Sequence, residues 1–250
     1  MKSRSPEIIV VSDMHLGSKK THKKEFNKFL DYLKDEKDLE YFIINGDGLE
    51  FWGRDDAGVT LENADTIHKL MELNKSRKIY WIPGNHDYHL RNFRGHYYPF
   101  KFPLELVIKT SKIDYRFLHG YQFDPTEFEF LFDALCYTTN DSRGEMLYDA
   151  WKRFIRTRKF IEKFLLQPFY PKFKSDIKRM IRTPEERGIV DIVEENAKNS
   201  VKENEFLIFG HTHKGFVDNY SRIANSGAWF GNAPNTYLRI KRGKVKLEEF

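Results

Sequence analysis

Apolar runs that stop abruptly in polar clusters set the rhythm of this chain. "EIIVVSD" (7–13), "EYFIINGD" (40–47), "KIYWIPGNHD" (78–87) and "EFLIFGHTH" (205–213) share this form. Amphipathic stretches near 22–35 and 61–76 separate the first three runs. The alternation predicts a βαβαβ unit with a parallel sheet. Further on, "LELVIK" (104–109) and "IDYRFLHG" (113–120) predict a strand pair, and "TYLRIKR" with "KVKLEEF" a hairpin turning at Gly243. The simplest assembly is an α/β fold of two sheets with helices outside. Between about 125 and 200 the pattern turns helical and basic, broken by "QPFYPK" (167–172) and by "TPEE" (183–186), where Thr183 can N-cap and Pro184 opens a helix. This predicts one domain over 1–250 carrying a helical insertion over 125–200.

In open α/β sheets ligands bind beyond the carboxyl ends of the strands. The polar residues that end the runs should therefore converge: Asp13, His15, Asp47, Asn85, His119, His211 and His213. Within "DMH" and "HTH" the two donors stand two residues apart, on one side of an extended segment. Any one of these residues has an ordinary explanation as a cap, a turn residue or a surface histidine. Burying all seven without a metal would leave much polar charge uncompensated. Imidazoles and oxygen donors without a thiolate suit manganese, iron or zinc.

At 250 residues the chain can bury a substantial core. Its single cysteine, Cys136, excludes an intramolecular disulfide and fits a reducing cytosol. The start "MKSRSPEIIVVSD" has too short an apolar run for a signal peptide, and no stretch approaches the roughly 18 apolar residues of a spanning helix. A cytoplasmic protein is expected, with room for peripheral contact with the inner face of a membrane. The formal charge is +5, but residues 142–182 carry twelve Lys or Arg against four Asp or Glu, so an anionic partner would be drawn to that segment.

The series "DMH", "NGD", "GNHD", "HG" and "GHTH", in this order, resembles the calcineurin-like metallophosphoesterases. The resemblance implies a four-layer αββα sandwich of two mixed sheets and a site for two divalent metals, manganese first among them, with iron or zinc as alternatives. It assigns Asp13, His15 and His213 to one metal, Asn85, His119 and His211 to the other, and Asp47 to both. It further implies that water activated between the metals attacks a phosphodiester or pyrophosphate bond. His86 would donate to a phosphate or leaving oxygen, oriented by Glu50.

Within that family, "GDGLEFWGRDDA" (46–57), "GNHDYHLRNF" (84–93) and "SGAWF" (226–230), with a helical insertion between "HG" and "GHTH", resemble the UDP-2,3-diacylglucosamine pyrophosphatases. That resemblance implies a nucleotide-linked or lipid-linked substrate. Lys152, Arg156, Lys159 and Lys163 fall on one face of a helix over 145–166, with Leu147, Trp151, Phe154, Ile161 and Leu165 opposite. Such a helix suits a lid that rests on anionic lipid or holds an acyl chain, and equally one that packs its apolar face on the body and shows its charged face to water. Lys152, Arg156 and Arg158 are candidate substrate-binding residues, as are His89 and Arg91 just after "GNHD". The other histidines, His22, His68 and His96, are read as surface or packing residues. Two departures stand out: His86 occupies the arginine position of that subfamily's "GNRD", and Tyr121 replaces the acid of its "HGD". The alternative is a nuclease that tracks a nucleic-acid backbone with the basic insertion.

Overall fold

The computed structural model describes residues 6–52, 54–93, 98–127, 129, 132, 135–136 and 188–250. Strands β1 (Glu7–Val11), β2 (Leu39–Asn45) and β3 (Lys78–Ile82) alternate with helices α1 (Lys23–Asp35), α2 (Asp56–Glu62) and α3 (Ala64–Asn74). There follow β4 (Leu106–Ile108), β5 (Asp114–Phe117), α4 (Ile189–Ser200), β6 (Glu205–Phe209), β7 (Phe216–Asp218), β8 (Ile223–Asn225), β9 (Thr236–Lys241) and β10 (Lys244–Glu249). One sheet runs β10-β9-β1-β2-β3 and the other β4-β5-β6-β8-β7. Both are mixed: β1–β2–β3 and β5–β6–β8 pair in parallel, while β9, β10, β4 and β7 are antiparallel to their neighbours.

Strand side chains alternate between faces, and the alternation builds four layers. Ile9 and Val11 of β1 face outward and pack with Phe26, Phe29, Leu30 and Leu33 of α1 and Leu70 and Leu73 of α3. Ile8 and Val10 face inward and meet Phe117, Phe206 and Ile208 of the second sheet. The outer face of that sheet, through Leu207, Phe209 and Ile223, is covered by Val193 and Ala197 of α4. The order is thus helix, sheet, sheet, helix. The final stretch of the expected insertion, Ile189–Ser200, is this covering helix. The helix expected near 61–76 is α3, Ala64–Asn74; a further short helix, α2, precedes it and ends at Asn63, whose side chain donates back to the Val59 carbonyl at 2.8 Å. The closing hairpin turns at Gly243 (φ 77°), with Arg242 also left-handed, as a two-residue turn of primed type requires.

Near the start of β1, the Arg239 guanidinium of β9 lies between Glu7, Glu36 and Glu248, 2.9 Å from Glu36 and 3.0 Å from Glu248. Glu7 is buried, and besides Arg239 it is paired with Lys241 at 2.6 Å. Arg239→Met should leave a buried carboxylate partly uncompensated and cost about 3 kcal/mol. A urea unfolding midpoint that does not move would contradict this.

Candidate metal centre

The ends of β1, β2, β3, β5 and β6 meet at one place, held there by backbone hydrogen bonds between the loops. Asp13 N–H donates to Gly46 at 3.1 Å, His15 N–H to Asp47 at 2.9 Å, and Gly210 N–H to His119 at 2.7 Å. The close approach needs glycine: a Cβ on Gly84 would lie 2.1 Å from Asp47 Oδ1, and one on Gly46 (φ 94°) 2.0 Å from His119 Nδ1. Asp87 secures the loop after β3. Its carboxylate accepts from the N–H groups of Gly84 and Gly48 and from the Trp81 indole, at 2.6, 2.8 and 3.0 Å.

Eight described non-glycine residues adopt positive φ, and five of them are Asp13, His15, Asp47, His211 and His213. Left-handed backbone is costly for side chains of this size and persists where surrounding contacts enforce it, commonly at functional sites. Here it turns donors at the strand ends toward a common centre. Asp13, His15 and His213 each bring a donor atom within 4.8 Å of the others, and so do Asp13, Asp47 and His119. Asn85 joins them, its Oδ1 3.1 Å from His119 Nε2.

The proton positions follow from the partners. His119 Nδ1 faces the Asn45 carbonyl at 2.9 Å, which can only accept, so the neutral ring carries its lone pair on Nε2. That nitrogen lies 3.2 Å from Asp47 Oδ2 and 4.0 Å from Asp13 Oδ1. Likewise His15 Nδ1 faces Glu50 Oε2 at 3.1 Å, leaving Nε2 directed at His213 Nε2 (3.2 Å) and Asp47 Oδ2 (3.8 Å). Lone pairs thus converge on lone pairs and carboxylates. Burial pulls His119 down, yet Asp47 and Asp13 outweigh it and push its pKa up to about 10, so the pocket demands positive charge at that spot. Asp13 and Asp47 are driven the other way: burial raises both, and the surrounding histidines lower them below the usual carboxylate range. Asp13 Oδ1 is fully buried and faces His213 Nε2 at 3.3 Å. A divalent cation meets all these demands together, so the donor set fits a metal.

His86 sits beside the cluster. Its Nδ1 is 2.7 Å from Glu50 Oε1, its ring stacks on Trp52 at 3.9 Å and 20°, and its N–H donates to Asp47 Oδ1 at 2.9 Å. Burial disfavours its charge, but Glu50 and Asp47 prevail and raise its pKa to about 9. Glu50, which burial would raise, is held at about 2 by His86 and His15. One carboxylate therefore holds two histidines; the link to His86 is the one the resemblance implies, and the link to His15 is new.

His211 is placed differently from the other donors. Its backbone N–H donates to Asp13 Oδ2 at 3.0 Å and its ring stands edge-on to His119 at 5.3 Å. Its Nε2 faces Asp124 Oδ2 at 3.1 Å. Asp124 and its neighbour Glu127 were not singled out by sequence, although "DPT" is an Asx-turn signal. Burial and then Asp124 push Glu127 up to about 7. Tyr121, at the subfamily's acid position, is buried in the core, edge-on to Tyr88 and Phe132.

Of the remaining candidates, His89 is buried with Nδ1 3.0 Å from Asp56, and the Arg91 guanidinium lies over the Tyr88 ring at 4.3 Å. His22 bonds Asn235 and the Gly231 carbonyl, a packing role. Lys152, Arg156, Arg158, Lys159, Lys163 and His96 lie outside the described residues. A cleft of about 430 Å³ opens beside His213, lined by Lys20, Phe230, Asn232 and their neighbours. Phe230 also packs against His15 at 4.7 Å between ring centroids. No helix among the described residues is long and apolar enough to cross a membrane.

This chain is 27% identical to the UDP-2,3-diacylglucosamine hydrolase of Shewanella oneidensis, an alignment covering 89% of each chain. It is 24% identical to the protein of the same name from Aromatoleum aromaticum, over 82% of this chain and 80% of that one. Among solved structures, the E. coli phosphoesterase Yfce matches with a TM-score of 0.46 and 15% identity, over 96% of this chain and 90% of that one. Residues 6–215, from the first strand to just past the last histidine of the cluster, match the family described as Calcineurin-like phosphoesterase. The chain belongs to that family of metal-dependent phosphoester hydrolases.

Proposed function

We propose that the chain is a two-metal phosphoesterase cleaving the pyrophosphate bond of a nucleotide-linked lipid, in the manner of a UDP-linked diacylglucosamine. The observation that carries the reaction class is the convergence of the Asp13, Asp47, His15, His119 and His213 donors on one centre built around two buried carboxylates. The names of relatives aligned over more than four-fifths of this chain support the substrate class.

Asp13, His15 and His213 would hold one ion, Asn85, His119 and His211 the other, and Asp47 both, with manganese preferred. When bound, the pair supplies a nucleophilic water at neutral pH and a clamp on the phosphate oxygens. The chain's own residues do the rest. Glu50 accepts the Nδ1–H of the His86 imidazolium, which leaves the Nε2–H of that charged ring to protonate the departing oxygen. Trp52 fixes the plane of that ring. The cleft beside His213 is of nucleotide size, and Lys20 and Asn232 on its wall offer donors to a second phosphate.

Manganese-loaded protein should be assayed in parallel on bis-p-nitrophenyl phosphate, UDP-2,3-diacylglucosamine and single-stranded DNA. The expected result is hydrolysis of the first two, with release of UMP from the second. Activity on DNA alone would overturn this reading in favour of a nuclease.

A further inference from the structure

We propose that Asp124 is a positioning residue that selects the tautomer of His211 and so makes its Nδ1 the metal-facing nitrogen. The proposal rests on the reading of His211 as a metal ligand. His211 Nε2 is 3.1 Å from Asp124 Oδ2. A carboxylate can only accept, so the proton of a neutral ring resides on Nε2 and the lone pair on Nδ1. Outer carboxylates of this kind fix ring orientation and raise ligand basicity.

Asp124 is itself held in place. Its Oδ1 accepts from the Thr126 backbone N–H at 2.8 Å and from the Thr126 hydroxyl at 2.6 Å, and its side chain is 9% exposed. The short 3-10 turn Tyr121–Phe123 carries the chain from Gly120 (φ 124°) back over His211. His119 needs no such partner, because the Asn45 carbonyl already fixes its tautomer.

The locked Oδ1 position yields a sharp test. In Asp124→Asn the Thr126 N–H can only donate, so the amide oxygen must stay at the Oδ1 site. The amide NH₂ then faces His211 Nε2, which must accept, and the ring proton moves to Nδ1 where the metal should bind. In Asp124→Ala the ring is free to choose either tautomer with solvent. A structural role for Asp124 would rank the isosteric Asn variant as the milder one; tautomer selection ranks it as the more severe.

Manganese titration by calorimetry should show the second equivalent binding about 10- to 100-fold more weakly in Asp124→Asn, with a smaller loss in Asp124→Ala. Long-range ¹H–¹⁵N spectra of the metal-free protein should show the His211 proton on Nε2 in the native chain and on Nδ1 in Asp124→Asn. Unchanged affinity in Asp124→Asn, or the opposite ranking, overturns the proposal. His211→Ala separates the two levels of failure: if it retains both manganese equivalents, the ligand assignment of His211 falls, and with it this inference. Should His211→Ala lose one equivalent while Asp124→Asn loses nothing, only the inference falls. Asp124 and Glu127 lie within ligand distance of His211, so a third manganese equivalent lost in Asp124→Ala would show a cation site there and also overturn it.

Discussion

Asp47→Ala is expected to abolish turnover, by at least about 10³-fold, and to leave fewer than two metal equivalents after desalting. Asp47 is the shared member of the proposed site. Its Oδ2 lies 3.2 Å from His119 Nε2 and 3.8 Å from His15 Nε2, nitrogens assigned to different ions. Its Oδ1 accepts from the His86 N–H. On that assignment, removing the carboxylate would take a ligand from both ions, and it would also unhook the loop that presents Asn85 and His86. Asp47→Asn retains the shape and can still accept from that N–H, so it isolates the charge. Metal analysis should find it depleted as well, with thermal unfolding close to that of the native chain. If Asp47→Ala kept two equivalents and turned over, the bridging assignment would be wrong.

The strand ends were legible because a buried run breaking into Asp, Asn or His is a conspicuous change in polarity. Asp13, His15, Asp47, Asn85, His119 and His213 come together as that pattern implies, and the outward and inward faces of β1 follow its period of two. Strands β7 and β8 are not legible because "FVD" and "IAN" lie in no longer apolar run of the kind that marks the equally short β4. The partner of His119 is a backbone carbonyl, which leaves no mark in the choice of residues. Asp124 was hidden for a different reason: its relation to His211 spans 87 positions and depends on a turn after Gly120. The double engagement of Glu50 was half legible. The family resemblance implies its link to His86, but its hold on His15 depends on how the loops after β1 and β2 are bonded, Leu16 N–H to Gly48 and Glu50 N–H to Leu16.

His86→Ala should lower kcat by about 10²- to 10⁴-fold with both metals retained, whereas Glu50→Gln should weaken metal binding as well. The difference follows from how Glu50 is held. Oε1 accepts from the Trp52 N–H at 3.2 Å and faces His86, while Oε2 faces His15 alone among the contacts described. In the glutamine variant the Trp52 N–H keeps the amide oxygen on the His86 side, so the NH₂ meets His15 Nδ1. His15 must then accept there and carry its proton on Nε2, the nitrogen proposed to bind the first ion. Loss of an outer partner of this kind weakens metal binding by about 10- to 100-fold, and His86 keeps its acceptor throughout. Calorimetric manganese titration beside kcat on bis-p-nitrophenyl phosphate separates the two variants. Metal loss in His86→Ala would make His86 a ligand or a structural support instead of a proton donor, and Glu50→Gln with native metal affinity would show that Glu50 does not set the His15 tautomer.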